Sequence, residues 1–215
     1  MNDQRIFIVG DIHGCLDPFK RLMDRIPWRP SQDRLIFLGD YIDRGENARG
    51  VVDYIVAISR CSAKVDCLLG NHEAILMDYL ENKDHGLFLI NGGWSTVESY
   101  GSRGGADLNS LIPPEHMDFY KSLKTYVELE DYYVVHAGFR PGVPMEAQVL
   151  EDMVWIREPF IYSDYDFGKR VIFGHTPFEE PLVMKNKIGV DTGAVYGNKL
   201  TCLELPSLKF HSVEA

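Results

Sequence analysis

Apolar residues fall into short continuous runs along this chain, and each run is ended at once by a polar or glycine-rich group. Arg5–Val9, Arg34–Leu38 and Val65–Leu69 are the first three. Runs of this length, apolar apart from a leading Arg5 or Arg34 and an internal Asp66, predict buried strands, because a half-exposed strand would alternate. The spacing changes between them. Leu16, Phe19, Leu22, Met23 and Ile26 recur at helical intervals, and Pro27 and Pro30 stop that helix. Val51–Ile58 predicts a second helix, and Leu76–Leu80 lies in a third. Strand, loop and helix in repeated succession predict an α/β fold with parallel strands.

The pattern shifts over residues 83–125, which carry NGGW, SYGSRGG and a Pro-Pro pair. Helices and long loops are expected there, as a cap inserted within one domain spanning 1–215. Strand signals return at Tyr126, Tyr132–Val135 and Arg170–Phe173. The tail offers Leu182–Met184, Ile188–Val190, Leu200–Leu205 and Leu208–Ser212, expected as an antiparallel set closing a second sheet. No internal repeat or low-complexity segment is present.

Composition narrows the picture. A length of 215 residues suits one sizeable core. The net charge is −10, and no basic stretch stands out, which argues against a general nucleic-acid binder. No apolar run approaches a bilayer span, and the first residues lack the order of a secretory signal, so a cytoplasmic protein is expected. The four cysteines, Cys15, Cys61, Cys67 and Cys202, form no CxxC pair and are expected as small buried hydrophobes. Cys15 directly follows a polar motif, which makes it a candidate for oxidation.

Chemistry is concentrated where the apolar runs stop. Five segments share one grammar: GDIHG (10–14), GDYIDRG (39–45), GNHE (70–73), HAG (136–138) and GHT (174–176). A lone Asp at a strand end is more often a turn or helix cap, and a lone His more often a packing residue. Five such segments, each at a strand end, are better read as one assembled site. The carboxyl ends of strands are also where open α/β sheets bind ligands. The donors are mixed oxygen and nitrogen. They fit Mn²⁺, Fe or Zn²⁺ better than the all-oxygen shells of Ca²⁺ or Mg²⁺.

On these motifs the chain resembles the metallophosphoesterase superfamily. The nearer likeness is to the phosphoprotein phosphatase family, which includes small bacterial and phage Ser/Thr phosphatases and symmetrical diadenosine tetraphosphate hydrolases. The resemblance runs from Gly10 to Pro177 and extends toward DTGAVYG (191–197). It implies a calcineurin-like sandwich of two mixed β-sheets flanked by helices. It also implies two divalent metal ions, with Mn²⁺ expected first and Fe or Zn²⁺ as alternatives. Asp11 and His13 would hold one metal, Asp40 would bridge, and Asn71, His136 and His175 would hold the other. HAG stands where family members often have HGG, a small change beside His136.

The resemblance also implies a mechanism. Two cations would lower the pKa of a bridging water, and the resulting hydroxide would attack phosphorus in line with the leaving oxygen. Arg44 and Arg157 would hold the phosphate oxygens. His72 would donate a proton to the leaving oxygen, with Asp43 orienting its imidazole. Glu73 would support its loop rather than bind metal.

The expected partner is therefore a phosphorylated protein or peptide, or alternatively a dinucleoside polyphosphate. A non-catalytic scaffold of the same fold is the reading from another class, and a nuclease is a further one on fold grounds. No Cys-x5-Arg loop and no GxxxxGK[ST] motif competes. Trp94 and Tyr100 are candidates for the substrate cleft or for packing, and Tyr196 for an approach to the site. His85, His116 and His211 read as surface or core residues.

Overall fold

The computed structural model describes residues 4–83, 86–101 and 107–215. His85 and the last four residues of SYGSRGG, 102–105, lie outside the described residues. Within them, two five-stranded sheets stack face to face. The first has the order β10-β9-β1-β2-β3 and the second β4-β5-β6-β8-β7. The strands are β1 (Ile6–Val9), β2 (Arg34–Phe37), β3 (Val65–Cys67), β4 (Tyr126–Glu128), β5 (Tyr132–Val135), β6 (Arg170–Phe173), β7 (Leu182–Val183), β8 (Lys187–Gly189), β9 (Lys199–Leu205) and β10 (Lys209–Glu214). Both sheets are mixed. β1 runs parallel to β2 and antiparallel to β9, while β6 runs parallel to β5 and β8.

Period-two geometry explains why the strand runs are so largely apolar. Ile8, Ile36, Leu38, Leu68, Ile172, Ile188 and Leu203 point into the layer between the sheets. Phe7, Val9, Leu35 and Phe37 point the other way, beneath α1 (Leu16–Arg25), α2 (Ala48–Cys61) and α3 (Asn71–Leu80). Val171 and Phe173 turn outward from the second sheet, toward Met153 and Phe160. Each fully buried side chain of this size stabilises the fold by roughly 1.5–3 kcal/mol. The result is four layers, helix–sheet–sheet–helix.

Helix limits follow local chemistry. α1 stops at Arg25; Ile26 is extended (φ −74°, ψ 136°), as the residue before Pro27 must be. α2 is longer than its apolar stripe suggested. Its start is capped by Asn47, whose side chain accepts from the Gly50 amide, and its ends carry solvent-facing residues that a count of apolar positions does not register. α3 begins at Asn71 rather than near Leu76, because Glu73 reaches back to accept the Gly70 amide at 3.2 Å.

The tail differs from expectation. β7 and β8 do join the second sheet, but β9 and β10 join the first, with Ile8 opposite Leu203. The reason lies in β9, which is buried on both faces. Leu203 and Leu205 enter the inter-sheet layer, while Leu200 and Cys202 lie under the helices. A strand buried on both faces suits an inner position, and β10 then covers its outer edge. The described part of 83–125 is helical and packs on the first core through Phe88, Val97, Tyr100 and Phe119. No described helix is long and apolar enough to cross a membrane.

Candidate active site

The five motif loops leave the carboxyl ends of β1, β2, β3, β5 and β6 and meet at one edge of the sandwich. Their backbones are strained where the side chains converge. His13, Asp40, Asp43, Arg44 and His175 all have positive φ, between 45° and 68°. Non-glycine residues in this region cost of order 1–3 kcal/mol each and persist only where their surroundings hold them. Glycine gives the room: a Cβ at Gly70 would collide with the Asp40 side chain and amide.

Asp40 sits at the centre and is 1% exposed. Its Oδ2 faces His13 Nε2 at 3.3 Å and His72 Nε2 at 3.9 Å. Its Oδ1 faces His136 Nε2 at 3.4 Å. Two groups result, His13–Asp40–His72 and Asp40–His136–His175, and within each the candidate ligand atoms lie within 4.8 Å of one another. Asn71 Oδ1 is 3.1 Å from His136 Nε2. Asp11 accepts the His175 amide through Oδ2 at 2.9 Å, while its Oδ1 is buried without a partner. The six residues expected as ligands are thus together.

Their hydrogen bonds fit metal ions. His13 Nδ1 meets the Ile42 carbonyl at 2.8 Å, and His136 Nδ1 meets the Leu38 carbonyl at 2.9 Å. A ring nitrogen facing a carbonyl must carry the proton, so in the neutral ring the lone pair is on Nε2, aimed inward. This is the usual support for a metal-binding histidine. His136 Nε2 and Asn71 Oδ1 then approach as two acceptors, an arrangement a shared cation satisfies. His175 Nε2 is buried and unpartnered. Burial is the main cause holding both His136 and His175 below the ordinary imidazole range, and for His175 the neighbouring His136 adds to it. Asp11 is pushed well above the carboxylate range, first by burial and then by Asp191 and Asp40. Massed carboxylates beside neutral imidazoles are what divalent cations would compensate.

His72 is fully buried, with Nδ1 at 2.6 Å from Asp43 Oδ2 and Nε2 unpartnered. Geometry alone groups its Nε2 with the ligand atoms. Arg44 Nη1 lies 2.8 Å from His13 Nε2, and its guanidinium is 5.8 Å from the Tyr196 ring. Tyr196 therefore reaches Arg44 from the turn Ala194–Tyr196, ahead of β9. A cavity of about 600 Å³ opens beside Arg44, between Leu16, Pro18 and Ala194. Arg157 precedes the short helix Glu158–Ile161 in a non-helical conformation (φ −129°, ψ −106°). Its charge contributes to the low pKa of His175.

Glu73 does support its loop: its carboxylate accepts from the amides of Asp40, Tyr41 and Gly70 at 2.9, 2.8 and 3.2 Å. Asp191 was not singled out from sequence, although it follows a strand just as the five motif residues do. It is buried beside His13 and Asp40, and its carboxyl is raised to about 6, chiefly by burial. Thr96 gave no sequence signal, yet its hydroxyl meets Asp43 twice.

The structure decides between open alternatives for several other residues and corrects the expectation for one. Tyr100 does not line a cleft; it is buried and bonded to His116 Nδ1 at 2.8 Å and Tyr120 at 2.9 Å. Trp94 is 60% exposed. Burial pushes the Cys15 thiol up to about 11, which disfavours the thiolate that oxidation needs. Cys61 is exposed, not a buried hydrophobe. His116 and His211 are core residues, the latter paired with Glu204 at 2.7 Å.

Comparison with known proteins agrees with this geometry. The family model described as calcineurin-like phosphoesterase matches residues 4–201. A bis(5'-nucleosyl)-tetraphosphatase (asymmetrical), PrpE of Anoxybacillus flavithermus, is 26% identical over 240 aligned positions, covering 96% of this chain and 92% of that protein. A solved structure assigned as a diadenosine tetraphosphatase superposes with a TM-score of 0.77 at 22% identity, over 98% of this chain and 93% of the other. A protein serine/threonine phosphatase from Saccharomyces cerevisiae superposes with a TM-score of 0.68 at 15% identity, over 100% and 81%.

Proposed function

Because the chain belongs to the calcineurin-like phosphoesterase family, we propose that it is a metal-dependent phosphomonoesterase whose first substrates are phosphoserine and phosphothreonine in proteins or peptides. The observation that carries the metal-dependent part of this reading is the division of the Asp40 carboxylate, with Oδ2 toward His13 and Oδ1 toward His136. One carboxylate facing two ligand groups can be shared by two cations. Asp11 and His13 would complete one position, and Asn71, His136 and His175 the other. The mixed oxygen and nitrogen donors fit Mn²⁺, Fe or Zn²⁺, and the resemblance puts Mn²⁺ first. Bound there, such ions supply positive charge at the phosphoryl oxygens and lower the pKa of water.

The chain's own residues do the rest. Arg44 and Arg157 hold the phosphoryl oxygens by charge-assisted hydrogen bonds and orient phosphorus toward the ligand cluster. His72 donates a proton from Nε2 to the departing oxygen, and Asp43 fixes that ring through Nδ1. Asp191 stays beside the cluster as a further carboxylate. All of this lies within one unit, 1–215, in which the 83–125 segment contributes to the wall behind Asp43.

The test is phosphate release from phosphopeptides by Mn²⁺-loaded protein. Hydrolysis of aryl phosphates with no action on any phosphopeptide would defeat the protein-substrate reading. A second reading, hydrolysis of dinucleoside polyphosphates, is favoured by the near full-length match to PrpE. The exposed ring of Tyr196 beside Arg44 offers a surface for a base. Chromatography of the products from diadenosine tetraphosphate separates the two, and also tells asymmetrical from symmetrical cleavage.

A further inference from the structure

The Asp43–Arg44 turn is held from a part of the chain far away in sequence. Both residues have φ of 68°, a conformation that needs support. The support comes from the turn around Gly92 and the helix Trp94–Ser99. The Arg44 amide donates to the Gly92 carbonyl at 3.2 Å. The Asp43 amide donates to Thr96 Oγ1 at 2.9 Å, and the Thr96 hydroxyl donates to Asp43 Oδ1 at 2.5 Å. Gly92 itself has φ of 100°, and a Cβ there would press on Arg44 Cγ at 2.9 Å.

A threonine inside a helix commonly bonds a carbonyl one turn back. Thr96 instead gives both of its hydroxyl roles to one residue, and it is fully buried while doing so. This divides the Asp43 carboxylate. Oδ1 belongs to Thr96, and Oδ2 belongs to His72 Nδ1 at 2.6 Å. The terminal torsion of an aspartate is broad and nearly two-fold. Without the hydroxyl the carboxylate could turn, and the imidazole would lose a fixed partner.

We propose that Thr96 is a positioning residue for the reaction: its hydroxyl locks the Asp43 carboxylate, which in turn fixes the ring of His72. The proposal rests on the phosphomonoesterase reading above. It gives the 83–125 segment a definite role, as a clasp on the turn that carries Asp43 and Arg44. A merely structural threonine would affect stability and leave the chemistry of the leaving group alone.

The experiment compares Thr96→Val, which keeps the shape and removes the hydroxyl, with Thr96→Ser, which keeps the hydroxyl. Turnover of an alkyl phosphate and of p-nitrophenyl phosphate is measured for each, with metal content and Tm as controls. Proton transfer matters only for the poor alkyl leaving group. Thr96→Val should therefore retain its metals and lose alkyl turnover by roughly 10- to 100-fold, part of the 10²–10⁴ typical of general acids. Its aryl turnover should change far less, and Thr96→Ser should recover most of the loss.

A second readout does not depend on activity. The downfield ring N–H proton of His72, identified by its loss in His72→Asn, is followed by NMR in Zn²⁺-loaded protein. It should shift or exchange faster in Thr96→Val and stay in place in Thr96→Ser. Equal losses on both esters, no loss, or an unmoved N–H signal would overturn the proposal. If Thr96→Val does not fold, Thr96→Ala takes its place, since it only removes atoms. Wild-type protein inactive on both esters would overturn the function itself. Active wild type with an unaffected Thr96→Val would overturn only the positioning role.

Discussion

His72 Nδ1 lies 2.6 Å from Asp43 Oδ2, and neither side chain is exposed to solvent. A buried carboxylate on one ring nitrogen fixes which way the other faces. Here Nε2 is left without a partner, 3.9 Å from Asp40 Oδ2. Replacing His72 by Asn should leave the metals bound. It should slow hydrolysis of alkyl phosphates by about 10²–10⁴-fold, with a much smaller effect on p-nitrophenyl phosphate. Equal losses on the two esters in steady-state kinetics would count against the acid role.

Glu73 ties α3 to the Asp40 loop through the amides of Asp40, Tyr41 and Ile42. Glu73→Gln would turn an NH₂ group toward donors and leave at least one buried amide unpaired. The expected cost is about 1–3 kcal/mol of stability by urea unfolding. Because the loop carries the central carboxylate, Mn²⁺ affinity should also fall, by about 10- to 100-fold in a calorimetric titration. Unchanged affinity would separate Glu73 from the site.

Arg44 lies 2.8 Å from His13, and the charge of Arg157, just before the Glu158–Ile161 helix, reaches His175. Removing either guanidinium should cost about 10- to 100-fold in kcat/KM for phosphate esters, the size of a lost charge-assisted hydrogen bond. Inhibition by inorganic phosphate should weaken in parallel. An Arg157→Ala variant that binds phosphate as tightly as wild type would remove that residue from the site.

Acid stability should depend on Asp33, which is fully buried beneath Arg5 and Arg29. Burial alone would raise its pKa, but hydrogen bonds from Arg29 and Arg5 outweigh that and hold the carboxyl well below its ordinary range. Its stabilisation is therefore complete above the unfolded pKa of about 4 and is lost as pH falls toward the folded value. Asp33→Asn should cost about 2–4 kcal/mol at pH 7. The gap from wild type should narrow below pH about 4. A gap independent of pH would contradict the ion-pair account.

The sequence made the site far more legible than the framework around it. Asp11, His13, Asp40, Asn71, His136 and His175 stand out because each ends a buried strand, where the chain has one way to place a polar side chain. Asp191 ends a strand in the same manner, and its burial beside His13 and Asp40 emerges only in the folded chain. Thr96 is invisible in sequence, because its role depends on a helix meeting a loop 53 residues away. The placement of β9 in the first sheet is likewise a long-range choice, since either sheet could use an apolar strand. Tyr100 is a case the sequence left open between cleft and packing, and its buried partners, His116 and Tyr120, decide for packing.

Two cations shared through Asp40 are the centre of this account, and metal content measures that directly. Wild-type protein loaded with Mn²⁺ and freed of excess metal should hold about two ions per chain. Asp40→Asn, still folded by circular dichroism, should hold fewer than one. Wild-type protein that hydrolyses p-nitrophenyl phosphate with less than one ion per chain, or Asp40→Asn that keeps both, would contradict it.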